Sequence, residues 1–154
     1  MAADVSVATP KPQFAVNIPF SKLLGLELLR FEDGLSEIAM DVRPDLCNSF
    51  AVAHGGAVMT LLDVAMAHAA RTPPQPGEAG DRRGMVTIEM KTSFMRPATG
   101  RVVCRGKRLQ ATRSFMFCQA EVFNDQGELL AMATGTFKFR GSAAKPNPSA
   151  EDPS

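Results

Sequence analysis

Hydrophobic and polar positions along the chain fall into two kinds of run. From 57 to 70, Ala-Val-Met-Thr-Leu-Leu-Asp-Val-Ala-Met-Ala-His-Ala-Ala, good helix formers dominate and nearly every side is apolar. Such a pattern predicts a helix buried in a core, because a helix resting on a surface keeps one polar face. Elsewhere the runs have strand length and turn chemistry between them. Residues 26–43 read as a hairpin around Glu32-Asp33-Gly34, ended by Pro44. Four further strands are predicted over 85–96, 101–110, 113–124 and 128–140. Ala98-Thr99-Gly100 and Asn124-Asp125-Gln126-Gly127 are hairpin signals, which makes these four strands antiparallel neighbours. A short helix over 18–24, with Pro19 in its first turn and Gly25 at its end, is expected to cover a sheet edge.

The loop 44–53 leads into the long helix, and the proline- and glycine-rich stretch 72–81 after it forbids regular structure. Small residues recur at alternate positions, Ala131, Ala133 and Gly135 in the last strand, Cys118 and Ala120 in the one before. A face of small side chains lets a helix come close. The expected architecture is therefore α+β, a six-stranded antiparallel sheet curved around one long central helix. It occupies 14–140. Residues 1–13 are expected to be a flexible segment and the small, polar, proline-rich 141–154 a disordered tail.

Composition narrows the function classes. A chain of 154 residues, 45% hydrophobic and 21% charged, suits one domain with a sizeable core. With a net charge of +1, scattered basic residues and neither tryptophan nor tyrosine to stack on bases, nucleic acid is not an expected partner. The N-terminal stretch has no secretory pattern, and Asp63 and His68 interrupt the best candidate for a membrane span, so a cytoplasmic location without membrane insertion is expected. Cys47, Cys104 and Cys118 form no C-x-x-C pair and read as reduced packing residues. His54 and His68 lie fourteen apart without a nearby carboxylate cluster, so no metal is expected.

The candidate chemistry lies in and just before the long helix. Asp63, flanked by Leu61, Leu62, Val64 and Ala65, loses hydration if the helix is buried and needs a partner or a task. Gly55 and Gly56 open the helix with bare N–H groups at the positive end of its dipole, a place for developing negative charge. Eight residues of straight helix separate Gly55 from Asp63 by roughly 12 Å, too far to reach one small atom. Two copies of the helix, antiparallel across a two-fold axis, bring the amide end of one beside the carboxylate of the other.

Asn48, the triplet His54-Gly55-Gly56, Asp63 nine residues after the histidine, and Thr87-Ile88-Glu89-Met90-Lys91-Thr92-Ser93-Phe94-Met95-Arg96-Pro97-Ala98 follow one another in a characteristic order and spacing. In these features the chain resembles the hotdog-fold acyl-CoA thioesterases, nearest their phenylacetate-degradation (PaaI-type) branch. The resemblance implies hydrolysis of an acyl-CoA thioester to free acid and coenzyme A, with coenzyme A as part of the substrate and no further cofactor. It implies the Gly55 amide as oxyanion donor and Asp63 of the partner subunit as base or nucleophile, in a homodimer or a dimer-of-dimers homotetramer.

Other roles follow from the same likeness. Asn48 polarises the thioester oxygen or holds the water, unless it only bonds its own loop. His54 positions the carbonyl, unless it only caps or packs. Thr87 orients the water, and strand alternation places it with Glu89, Lys91 and Ser93 on the more polar face. Gly56, Arg96, Arg113 and Ser114 are the substrate-binding candidates, with Lys138 a further cation for the coenzyme phosphates. Thr112 stands where the family often has glycine before that arginine, which weakens close backbone approach there. His68 receives no role. Two other readings stay open: a hotdog dehydratase or hydratase using His54 and Asp63 as an acid–base pair, and a non-catalytic acyl-CoA-binding module. The double glycine favours hydrolysis over the former; the lack of a DNA-binding segment counts against the latter.

Overall fold

A computed structural model describes residues 11–75, 77, 78, 81 and 83–141. The flexibility expected of 1–10 and the disorder expected of 142–154 concern residues outside this description. Six strands, β1 (Glu27–Glu32), β2 (Leu35–Asp41), β3 (Met85–Phe94), β4 (Arg101–Ala111), β5 (Phe115–Phe123) and β6 (Leu129–Phe139), form one antiparallel sheet in the order β1-β2-β4-β5-β6-β3. The sheet wraps α2 (Gly55–Ala69), which is the expected hotdog layout. A short α1 (Pro19–Leu23) and a single 3₁₀ turn (Pro44–Leu46) complete the described elements.

Local chemistry explains the hairpins. Asp33-Gly34 turns β1 into β2, with Gly34 at φ 76°, a left-handed value that glycine adopts without steric cost. Asn124 closes β5 onto β6, its Oδ1 accepting from the Gln126 and Glu128 amides. The expected hairpin at Ala98-Thr99-Gly100 is overturned. Gly100 does turn the chain, at φ 64°, but β3 lies at the sheet edge against β6, whereas β4 runs between β2 and β5. The connection crosses the end of the sheet instead: the Met95 and Arg96 amides bond the Leu130 carbonyl, Ala53 N–H bonds Ala98 O, and Val42 N–H bonds Gly100 O. A turn signal is local, and it carries no information about which strand the next one joins.

Thr87 also departs from simple alternation. Thr87 pairs with Phe137 but Glu89 pairs with Thr136, so a bulge at Ile88 inserts one residue and reverses the faces. Thr87 thereby turns toward α2, while Glu89 accepts from the Thr136 hydroxyl at 2.7 Å.

The helix docks through small residues. Ser36 on β2 donates to the Ala65 carbonyl at 2.7 Å, and a side chain at Gly106 on β4 would run into that same carbonyl. At Gly135 an added Cβ would press on Met66 and Phe137 at 3.1 Å. Alanine and cysteine positions 118, 120, 131 and 133 are buried as expected, but Gly106 makes the tightest approach. The core is completed by Ile38, Met40, Leu61, Leu62, Met66, Val102, Val122 and Phe137, all fully buried. In place of covering a sheet edge, α1 packs beside α2.

One stripe of α2, comprising Met59, Thr60, Asp63 and Ala67, is less covered than the rest, and edge strand β3 exposes Val86, Ile88 and Phe94. No helix among the described residues is long and apolar enough to cross a membrane.

Candidate active site

The start of α2 is built to leave one amide free. His54 stands at the N-cap in extended conformation, and its own Nδ1 accepts from Gly56 N–H at 2.9 Å. Its carbonyl takes the Ala57 and Val58 amides. Among the described residues, Gly55 N–H has no acceptor. Asn48 Oδ1 accepts from Phe50 N–H at 2.9 Å, holding a tight loop in which Ala51 takes φ 58°. This use of the oxygen leaves the amide nitrogen of Asn48 as the end available to a ligand. Asn48, Gly55, Phe94 and Arg96 share one cavity of about 380 Å³. Arg96 is held there by a 2.9 Å bond from Nη1 to the Leu129 carbonyl.

Asp63 sits at a different place. Thr87 Oγ1 donates to its Oδ1 at 2.7 Å. Burial raises the carboxyl pKa above its usual 3.8, and the Thr87 bond works in the opposite direction. Both residues border a second cavity, of about 230 Å³, whose other walls are apolar apart from His68 and Arg71.

His68 and Arg71 are the residues here that sequence reasoning passed over. His68 is 1% exposed. Its Nδ1 bonds the Val64 carbonyl at 3.0 Å and its Nε2 accepts from Ala15 N–H at 3.4 Å. Burial depresses its pKa from 6.5 to about 4, so the imidazole is neutral near pH 7. Arg71, also buried, donates from Nη1 to the Asp81 and Arg83 carbonyls, tying the approach to β3 to the helix end. The signals were present: a histidine in a run of alanines, and an arginine immediately before a proline-rich loop.

Of the sequence-derived candidates, the fold therefore gathers Asn48, Gly55 and Arg96 in one cavity and Asp63 with Thr87 in another. His54 and Gly56 line a third hollow, beside Phe20 and Leu24 of the α1 region. Arg113 and Ser114 lie in the β4–β5 turn, exposed, with Thr112 Oγ1 accepting the Phe115 amide at 2.9 Å. Lys138 Nζ sits 5.5 Å from the centre of the Phe115 ring. Cys104 and Cys118 are buried, with thiol pKa values pushed up by burial, and pack as expected. Among the described residues no three His, Cys, Asp or Glu side chains gather in a way that would hold a metal ion.

Comparison with known proteins identifies the family and the fold. The family model of the thioesterase superfamily matches residues 50–131, from the loop before α2 into β6. The medium/long-chain acyl-CoA thioesterase YigI of Salmonella typhimurium is 25% identical over 150 residues, covering 89% of this chain and 96% of that protein. Among solved structures, conserved protein PA5202 from Pseudomonas aeruginosa is 31% identical with a TM-score of 0.72, over 82% of this chain and 97% of its own. The N33D mutant of the phenylacetic acid degradation protein PaaI from Thermus thermophilus is also 31% identical, with a TM-score of 0.68, over 80% and 99% of the two chains.

Proposed function

The chain belongs to the thioesterase superfamily and is a thioester hydrolase of hotdog fold, and from that premise we propose that it hydrolyses acyl-CoA thioesters in two sites, each shared between two subunits. The observation that carries this reading is the separation of the two halves of the chemistry. A free amide at Gly55 and a partly desolvated carboxylate at Asp63 lie on one rigid helix but in different cavities. Thioester hydrolysis needs both at one carbonyl: a donor for the oxygen as it becomes negative, and a carboxylate that attacks the carbon or takes a proton from water. A second copy supplies the missing half. The partly exposed stripe of α2 from Met59 to Ala67 and the exposed apolar edge of β3 support that docking, since among the described residues neither is fully covered.

In the shared site the Gly55 amide and the helix dipole stabilise the oxyanion, with Asn48 as a second donor beside it. Asp63 of the other chain acts as base or nucleophile, and Thr87 holds one carboxylate oxygen so that the other faces the substrate. His54 fixes the loop by capping Gly56. Arg96 meets the substrate within the Gly55 cavity. Arg113, Ser114 and Lys138, at a sheet end, meet the coenzyme phosphates, and two dimers associate into a tetramer. A dehydratase would pair His54 with Asp63 as acid and base; with Nδ1 taken by the Gly56 amide, only Nε2 of His54 is left for that exchange, and His54 lines the hollow beside Phe20 and Leu24, outside the cavity of Gly55 and Arg96.

Subunit complementation tests the shared site. Asp63→Asn and Gly55→Pro are each expected to slow release of coenzyme A thiol from acyl-CoA by about a hundredfold or more. Co-expressed, they form heterodimers in which one site carries both lesions and the other none, so about a quarter of wild-type activity returns on random pairing. No recovery with heterodimers demonstrated would refute sharing, and wild type inactive on every acyl-CoA would refute the reaction.

A further inference from the structure

The cavity beside Asp63 has an end wall that belongs neither to the sheet nor to the helix. Residues 14–18, ahead of α1, pass over it, and Val16 and Ile18 line it opposite Val64, Ala67, Met85 and Phe137. This strap is anchored on a single buried imidazole. His68 Nε2 accepts from the Ala15 amide at 3.4 Å, and the Phe14 ring meets the same imidazole edge to face, 5.1 Å between centroids at 78°. Phe31 of β1 packs against it as well, at 5.6 Å and 71°. With Nδ1 on the Val64 carbonyl, both ring nitrogens are engaged, so His68 has no polar group left for a ligand. It is a positioning residue for the strap.

We propose that the acyl group of the substrate occupies this cavity and that the strap 14–18, pinned by His68, is the wall that limits its length. The inference rests on the thioesterase reading and adds a substrate class to it. A group joined to the carbonyl on which Asp63 acts, as base or nucleophile, needs an apolar recess next to that carboxylate, and this cavity has Asp63 and Thr87 at its border. Its volume, about 230 Å³, is below the roughly 300–1,000 Å³ usual for pockets that hold drug-sized ligands, so it fits a compact acyl group, a short chain or a single ring. A longer chain must displace Val16 and Ile18.

The test compares kcat/KM across straight-chain acyl-CoA thioesters of increasing length, with phenylacetyl-CoA as the ring probe. Val16→Ala with Ile18→Ala enlarges the cavity and Val16→Phe fills it. The ratio of long-chain to short-chain kcat/KM is expected to rise about tenfold in the former, mainly through KM, and to fall in the latter, since one methylene in a pocket discriminates by about tenfold or more. A general loosening of the fold would move both variants the same way. Calorimetric binding of the same series to Asp63→Asn, with and without the wall substitutions, gives a second arm independent of turnover. A length preference unmoved in both arms overturns the proposal. Wild type without turnover, but with a binding preference that shifts as described, overturns the hydrolase reading and keeps the strap.

Discussion

The two ends of the working part of α2 solve opposite electrostatic problems. At its start the protein leaves a donor open: His54 takes three of the helix's first four amides through its ring and its carbonyl, and among the described residues nothing accepts from the Gly55 N–H. At Asp63 it does the reverse, holding a potential negative charge in partly dehydrated surroundings with one hydroxyl to steady it. An amide dipole costs little to leave open near solvent, whereas a carboxylate loses much of its hydration on burial. That asymmetry explains why a bare glycine suffices at one end and a dedicated partner, Thr87, is present at the other. The lesson is that reactivity here comes from controlled incompleteness, a missing bond at Gly55 and missing water at Asp63.

Removing the charge is the most severe way to break this comparison. Asp63→Asn is expected to lower kcat by about 10²–10⁴-fold. The sign of its stability effect is also determined. Because folding raises the pKa of this carboxyl, the folded state favours the protonated form, so ionisation near neutral pH costs stability and asparagine avoids that cost. Thermal unfolding of Asp63→Asn should therefore occur no earlier than that of wild type, and a clear drop in melting temperature would assign Asp63 to structure.

Gly55→Pro comes next. Proline at the first helical position keeps the helix while replacing the N–H with a ring carbon, an added Cβ meets Phe94 only at ordinary contact distance, and His54 already has the extended conformation a following proline needs. A loss of about 10²–10³ in kcat at unchanged helix content is expected, by circular dichroism and thiol release together. Retention of full activity would remove the donor end from the mechanism.

Acid should separate the two regions further. Unfolded His68 takes a proton near 6.5 and the folded imidazole only near 4, so stability is complete above 6.5 and declines as pH falls through that window. The loss is on the order of 3 kcal/mol at about 1.4 kcal/mol per decade of proton concentration. Denaturant unfolding from pH 7 to 4 should show it, and His68→Leu should flatten the slope. The smallest effect is expected from Thr87→Ala: about tenfold in kcat, with the acid inflection of the pH–rate profile moved upward, because the one bond opposing burial is gone. An inflection that stays in place would mean that Thr87 does not govern the carboxylate.

Much of this was legible along the chain. The buried character of α2 followed from its apolar sides, the β1–β2 and β5–β6 hairpins from Asp33-Gly34 and Asn124 to Gly127, and the lost hydration of Asp63 from its neighbours. Gly106 carries a signal of its own, since an isolated glycine within a strand often marks close backbone approach, and it meets the helix more tightly than the small-residue stripe on β5 and β6. The anchor at His68 was harder to read. Its partners, Phe14 and Ala15, lie more than fifty residues away, and no periodicity connects them.

By itself, then, the sequence determined the kinds of element, the burial of the helix and the residue types able to handle an oxyanion and a proton, all of which depend on neighbours within a few positions. Only the tertiary structure decided that β3 leaves its sequence neighbour for the far edge beside β6, that a bulge turns Thr87 toward Asp63, that the Gly55 amide remains free while Gly56 is capped, and that His68 is held neutral beneath a strap. The reason is physical. Turn and helix propensities are set by local backbone sterics, whereas strand partnership, solvent exclusion and pKa depend on groups brought together from distant parts of the chain.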